Sequence, residues 1–134
     1  MLCDFIRLKN INPLKYTKTM AKVKENIEEH RNELLNYLLK LAPKTPDHEL
    51  RELVNEFKTH KFPKKEIILE AGDFSDSVYF VYKGLVRIYY EKEGKEITNW
   101  FIKENMMFAA TYSILTGEKN YSNYETLEDT YVLR

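Results

Sequence analysis

The stretch THKFPKKEIILEAGDFSDSVYFVYKGLVRIYYEKEGKEITNWF, residues 59–101, decides the fold. Its apolar residues recur with a period of two, in short runs closed by glycine. EIILEAG (66–72) reads as a strand ending at Gly72, and SVYFVYKG (77–84) as a strand ending at Gly84. LVRIYYEKEGKEITNWFI (85–102) reads as a hairpin turning around Gly94. Val86, Ile88 and Tyr90 share one face of its first strand; Ile97, Asn99 and Phe101 share one face of its second. YSNYETL (121–127) and TYVLR (130–134) continue the pattern. Short strands about ten residues apart, with glycine turns, predict a mainly β fold: a double-stranded β-helix or jelly-roll barrel.

Working outward, the grammar changes. Gly72, Gly84, Gly94 and Gly117 all lie in the second half, whereas Pro13, Pro43, Pro46 and Pro63 precede it. Residues 21–41 predict a helix, with Ile27, Leu34, Leu35, Leu38 and Leu41 at helical spacing and Pro43 ending it. TPDHELRELVNEF predicts a second helix with Thr45 as N-cap, Pro46 in the first helical position, and Asp47 and Glu49 at the positive end of the dipole. Leu50, Leu53, Val54 and Phe57 give it one apolar stripe. The expected division is therefore a poorly ordered extension over 1–19, an N-terminal helical segment over 20–60 and a β-barrel over 61–134. Met20 is an alternative start to Met1.

A chain of 134 residues suits one domain with a real core. Lys plus Arg and Asp plus Glu both count 21, so bulk charge supports neither nucleic-acid binding nor a polybasic membrane anchor. Cys3 is the single cysteine, which excludes a disulfide framework and fits a reducing cytoplasm. No apolar run approaches the roughly 20 residues of a membrane span, and no signal peptide is read in the first residues. His30, His48 and His60 precede or border the barrel and are expected to be solvent-exposed helix residues, so no metal site is predicted. Cys3 offers no basis for nucleophilic catalysis, and G-x-S-x-G, P-loop and paired-carboxylate motifs are absent, so no catalytic residue is predicted. Ten tyrosines fit sheet packing or an exposed partner surface. KTHKFPKK (58–65) reads as a solvated basic connector.

HKFPKKEIILEAGD, VYFVYKGLVRIY and EGKEI, in that order, resemble the first part of a cyclic-nucleotide-binding domain of the cAMP receptor protein / fumarate-nitrate regulator (Crp/Fnr) family. Gly72, Gly84 and Gly94 fall at its turn glycines, and the likeness covers residues 45–134. KGLVRIYY, KEITNWF and TLEDTYVL look most like a regulator subgroup of Bacteroidetes-type bacteria. The resemblance implies an eight-stranded jelly roll that senses a small molecule. In full-length members a dimerisation helix and a DNA-reading helix-turn-helix follow it. No stretch here resembles those helices. DNA contact is therefore expected only through a C-terminal domain missing from this chain, and homodimerisation is expected of the full-length parent.

The resemblance also locates a site, in FAATYSILTGEKNYSN (108–123). In cyclic-nucleotide binders the phosphate sits over a short helix opened by a Gly-Glu pair, and an arginine past the helix pairs with it. Counted from Gly117, the Gly-Glu positions fall on Ala109 and Ala110, and the arginine position on Asn120. No arginine lies between Arg87 and Arg134, and Lys119 is the only cation close by. Binding of cAMP or cGMP through the usual contacts is therefore not expected, and no cofactor is predicted. A different effector could use backbone N–H groups with Thr111, Asn120, Tyr121 or Ser122. By resemblance Ile88 and Phe101 line the apolar side of that pocket. The plainer reading is a helical turn kept for the fold, with Ile114 and Leu115 packed inward and Gly117 as cap.

Three functions stay open: a cytoplasmic regulator's sensor domain with a degenerate nucleotide site, a stand-alone small-ligand or protein-interaction module, and a cupin-like enzyme. The last lacks its metal ligands.

Overall fold

The computed structural model describes the backbone of residues 13–134 and side chains from residue 26 onward. Helix α1 spans Pro13–Leu41 and α2 spans Asp47–Glu56. The strands are β1 (Thr59–Phe62), β2 (Ile67–Leu69), β3 (Val78–Lys83), β4 (Val86–Lys92), β5 (Lys95–Ile102) and β6 (Met106–Ala109). A short helix, α3 (Thr111–Thr116), precedes β7 (Asn123–Thr126) and β8 (Thr130–Leu133). All pairings are antiparallel, in two four-stranded sheets ordered β1-β8-β3-β6 and β2-β7-β4-β5. This is the predicted mainly β jelly roll with N-terminal helices.

The helix boundaries correct three expectations. α1 begins at Pro13, not residue 21, because Pro13 suits a first helical turn and neither Gly nor Pro follows until Pro43. Residues 13–19 therefore belong to a helix and not to a poorly ordered extension; the rest of that expectation, residues 1–12, lies outside the described residues. Pro46, not Thr45, is the N-cap of α2: its ψ of 138° keeps it extended, and its carbonyl accepts from the N–H groups of Glu49 (3.1 Å) and Leu50 (3.3 Å). Asp47 does stand in the first turn, and it is paired with Arg51 at 2.6 Å. The first strand opens at Thr59, inside the segment expected to be helical.

The run VYFVY is apolar on both faces because its sheet is covered on both faces. Phe80 and Leu133 face the helices and pack with Leu34, Leu35, Leu38, Leu50 and Val54. Tyr79, Val81 and Val132 face the other way, into the space between the sheets, with Val86, Ile102, Phe108 and Tyr124. Gly84, at φ +118°, joins β3 to β4 where the chain runs against Thr130. A Cβ there would stand 2.6 Å from the Thr130 Cα.

The hairpin carries a β-bulge. Tyr89 pairs with Thr98, yet Ile88 pairs with Trp100, leaving Asn99 unmatched. Opposed residues of an antiparallel pair share a face, so the extra residue flips the alternation along β5. Ile97 and Trp100 share the inward face with Ile88, whereas Phe101 stands opposite Arg87 on the outer face. The expectation that Ile97, Asn99 and Phe101 share a face is thereby corrected.

Candidate functional site

The stretch from β6 to β7 is built over an aromatic stack. Tyr79 lies on Phe108 (ring centroids 4.8 Å apart) and Phe108 on Tyr124 (5.6 Å). The Tyr124 hydroxyl donates to the carbonyl of Ala109 at 3.1 Å, which fixes the backbone just before α3. Burial pushes the pKa of this phenol up, so it stays a donor at neutral pH. Ala110 is 1% exposed and caps α3 without a side-chain hydrogen bond; its carbonyl accepts from the Ile114 N–H at 3.0 Å. Gly117 closes the helix in the left-handed conformation (φ 70°), donating to the Ser113 carbonyl, as predicted.

Ile114 and Leu115 do not pack inward. Leu115 is 78% exposed and Ile114 43%. The face that α3 turns to the protein carries Ala110 and Ser113, one helical turn apart, and the Ser113 hydroxyl accepts from the Ser75 N–H at 3.3 Å. That bond ties the 70–75 loop to this face of the helix. Tyr112 and Tyr121 meet edge to face at 5.4 Å on the outside. The Tyr112 hydroxyl donates to Glu118, and that bond raises the phenol pKa.

Asn120, 4% exposed, occupies the position where the resemblance calls for an arginine. Its backbone ties the loop to the neighbouring one: its N–H donates to Asp73 O (2.8 Å) and its carbonyl accepts from Gly72 N–H (2.7 Å). Its side chain folds back on its own loop. Nδ2 donates to the Ser122 carbonyl, and Oδ1 accepts from the Ser122 N–H at 3.4 Å. A buried amide engaged in this way holds the loop's shape and carries no charge to meet an anion.

Of the predicted site residues, Ala109, Ala110, Thr111, Asn120, Tyr121 and Ser122 gather around α3. Thr111 is exposed, its hydroxyl donating to the Ala109 carbonyl at 3.4 Å, and Ser122 is buried. Ile88 and Phe101 cannot line one wall, because the bulge sets them on opposite faces; the residue beside Ile88 is Trp100, 60% exposed. Sequence reasoning missed Trp100 because a bulge leaves no composition signal. It also missed a cavity of about 260 Å³ next to Asn120, walled by Phe62, Leu69 and Tyr79. The charged lining of that cavity is mainly acidic: Glu70, Asp73 and Asp76 against Arg134, which is held by Ser77 (2.9 Å). Such a lining repels an anion.

Elsewhere two of the three histidines depart from expectation, while His48 is exposed on α2 as expected. His30 stacks on Tyr82 at 4.0 Å, and His60 lies in β1, stacked on Phe62. No cluster suited to a metal occurs among the described residues. No helix among them is long and apolar enough to cross a membrane.

Comparison with known proteins gives a consistent picture. The family model described as "Cyclic nucleotide-binding domain" matches residues 59–134. No curated protein matches. Among solved structures, the regulatory domain of Toxoplasma gondii PKA with cAMP superposes with a TM-score of 0.70 at 14% identity, over 79% of this chain and 41% of that one. The sensor domain of the transcriptional regulator DNR from Pseudomonas aeruginosa gives 0.68 at 20% identity, over 82% and 73%. Thermus thermophilus catabolite activator protein gives 0.61 at 23% identity, over 69% and 44%. At these identities the likeness is one of fold, and the chain spans less than half of the Toxoplasma and Thermus chains.

Proposed function

Because the chain belongs to the cyclic nucleotide-binding domain family, we propose that it is the effector-sensing domain of a cytoplasmic transcriptional regulator of the Crp/Fnr type. Its effector is a small molecule not held through the arginine and glutamate contacts of cyclic-nucleotide binders. The fold shared with a regulator's sensor domain and with a catabolite activator supports the first part, as does the subgroup resemblance. The second part rests on one observation: the buried Asn120 amide is closed onto Ser122 where the phosphate's cation would stand. Without that cation a bound phosphate forgoes a charge-assisted bond of about 1.5–3 kcal/mol. Ala110 likewise offers no carboxylate for a ribose hydroxyl. In this reading the domain performs no catalysis. It biases the position of a dimerisation helix, and DNA is met through a C-terminal domain of the homodimeric parent.

Calorimetry with cAMP and cGMP tests the site. The expected result is no heat of binding at micromolar ligand; micromolar affinity for either overturns the assignment. Sequencing the gene beyond codon 134 tests the regulator role. A helix followed by a helix-turn-helix is expected, and an unrelated sequence would leave a stand-alone binding module.

A further inference from the structure

The cavity beside Asn120 is where the core between the sheets reaches the surface. Phe62 and Tyr79 come to it from one sheet, Ile68 and Leu69 from the other. Tyr79 belongs to the inter-sheet core, and the other three pack against it half-buried. The mouth of a β-barrel with an apolar floor and a few polar groups is a common place for a small ligand. At about 260 Å³ the cavity lies just below the roughly 300–1,000 Å³ of ordinary ligand pockets, so a small molecule suits it.

Its charged groups are of both signs, and they do not pair with one another. The Arg134 guanidinium is positioned by neutral groups. Nε and Nη2 donate to Ser77 Oγ at 3.1 and 2.9 Å, and Cζ lies 5.7 Å from the centre of the Tyr79 ring. Reciprocal backbone bonds with Lys58, both 2.8 Å, fix the residue itself. Ser77 Oγ donates onward to Asp76 at 3.4 Å, so a hydroxyl stands between that acid and the guanidinium. Among the described residues no ion pair involves Arg134, Glu70 or Asp73. A simple anion entering this cavity meets three carboxylates, and a simple cation leaves Arg134 unanswered. A molecule carrying both charges answers both, and its apolar part meets Phe62 and Leu69.

We propose that this cavity binds a small zwitterion, an α-amino acid with an apolar side chain. Its carboxylate lies on Arg134, its ammonium on Glu70 and Asp73, and its side chain on the Phe62–Leu69 floor. The loop that holds the ammonium is the one bonded to Asn120, through Gly72 N–H (2.7 Å) and Asp73 O (2.8 Å). Occupancy is thereby felt by the segment between α3 and β7. The assignment names a class of effector and in that respect rests on the effector-sensing reading above.

Calorimetry of the 134-residue chain with leucine, isoleucine, valine, methionine and phenylalanine tests it. Millimolar or tighter binding of at least one is expected. For that amino acid, the amine lacking the carboxylate and the acid lacking the ammonium should each bind at least about tenfold more weakly. Arg134→Gln, and Glu70→Gln combined with Asp73→Asn, should each weaken the amino acid by a similar factor, with circular dichroism confirming that the variants are folded. No heat with any of the five, an amine or acid as tight as its amino acid, or indifference to Arg134→Gln overturns the proposal. None of these results touches the regulator reading, which the cAMP titration and the gene sequence decide separately.

Discussion

Asn120→Ala is the substitution that most directly separates a structural amide from a ligand-binding one. It removes the Nδ2 bond to the Ser122 carbonyl and the acceptor of the Ser122 N–H, while the backbone bonds to Asp73 and Gly72 remain. A lost hydrogen bond costs about 1 kcal/mol, and a buried polar group left without a partner costs about 1–3 kcal/mol. Ser122 is itself buried, so its freed carbonyl and N–H have little access to water. The sum comes to about 2 kcal/mol. In urea unfolding this moves the midpoint down by about 1 M for an ordinary m-value, and in a thermal melt by roughly 5 °C. Lys119→Ala, next door and exposed, is the control and should stay within about 0.5 kcal/mol. Asn120→Asp adds a sign test. It puts a carboxylate against the Ser122 carbonyl, which raises its folded pKa above the unfolded value near 3.9. Its penalty relative to the parent should therefore be small near pH 4 and grow toward pH 7. An unchanged midpoint for Asn120→Ala would show that the loop does not depend on this amide. The position would then be free to serve a ligand.

Three further outcomes are expected. Gly84→Ala should cost about 3 kcal/mol or more in urea unfolding, because the added Cβ meets backbone at Thr130 in a φ that alanine resists. Ile88→Ala should cost about 1–3 kcal/mol and Phe101→Ala less than about 1 kcal/mol, since the bulge turns one to the core and the other outward; equal costs would contradict that arrangement. Tyr82, Tyr89 and Tyr124 have pKa values raised chiefly by burial, so their contribution to stability is complete below the ordinary tyrosine pKa of 10.0 and is lost as pH rises through the higher folded values. Melts should fall above pH 10, with a smaller fall in Tyr124→Phe.

The sequence by itself determined the architecture. Period-two runs closed by Gly72, Gly84 and Gly94 define strands, and the leucine spacing before Pro43 defines a helix, because both signals are local. The short helix after β6 and its Gly117 cap were legible in the same local way, as an apolar turn closed by glycine, whereas the expectation that Ala110 and Asn120 lack cyclic-nucleotide contacts rested on the family resemblance. Only the tertiary structure decided which way side chains point where locality fails. A single unmatched residue, Asn99, reverses the face of Phe101, and no composition or period reports a bulge. Ile114 and Leu115 look like core on hydrophobicity alone, yet the face that α3 turns to the protein is the one carrying Ala110 and Ser113. The placement of Asn120 is likewise a long-range fact: backbone bonds to Gly72 and Asp73 seat the residue in the wall, and its amide then closes on Ser122 two residues on.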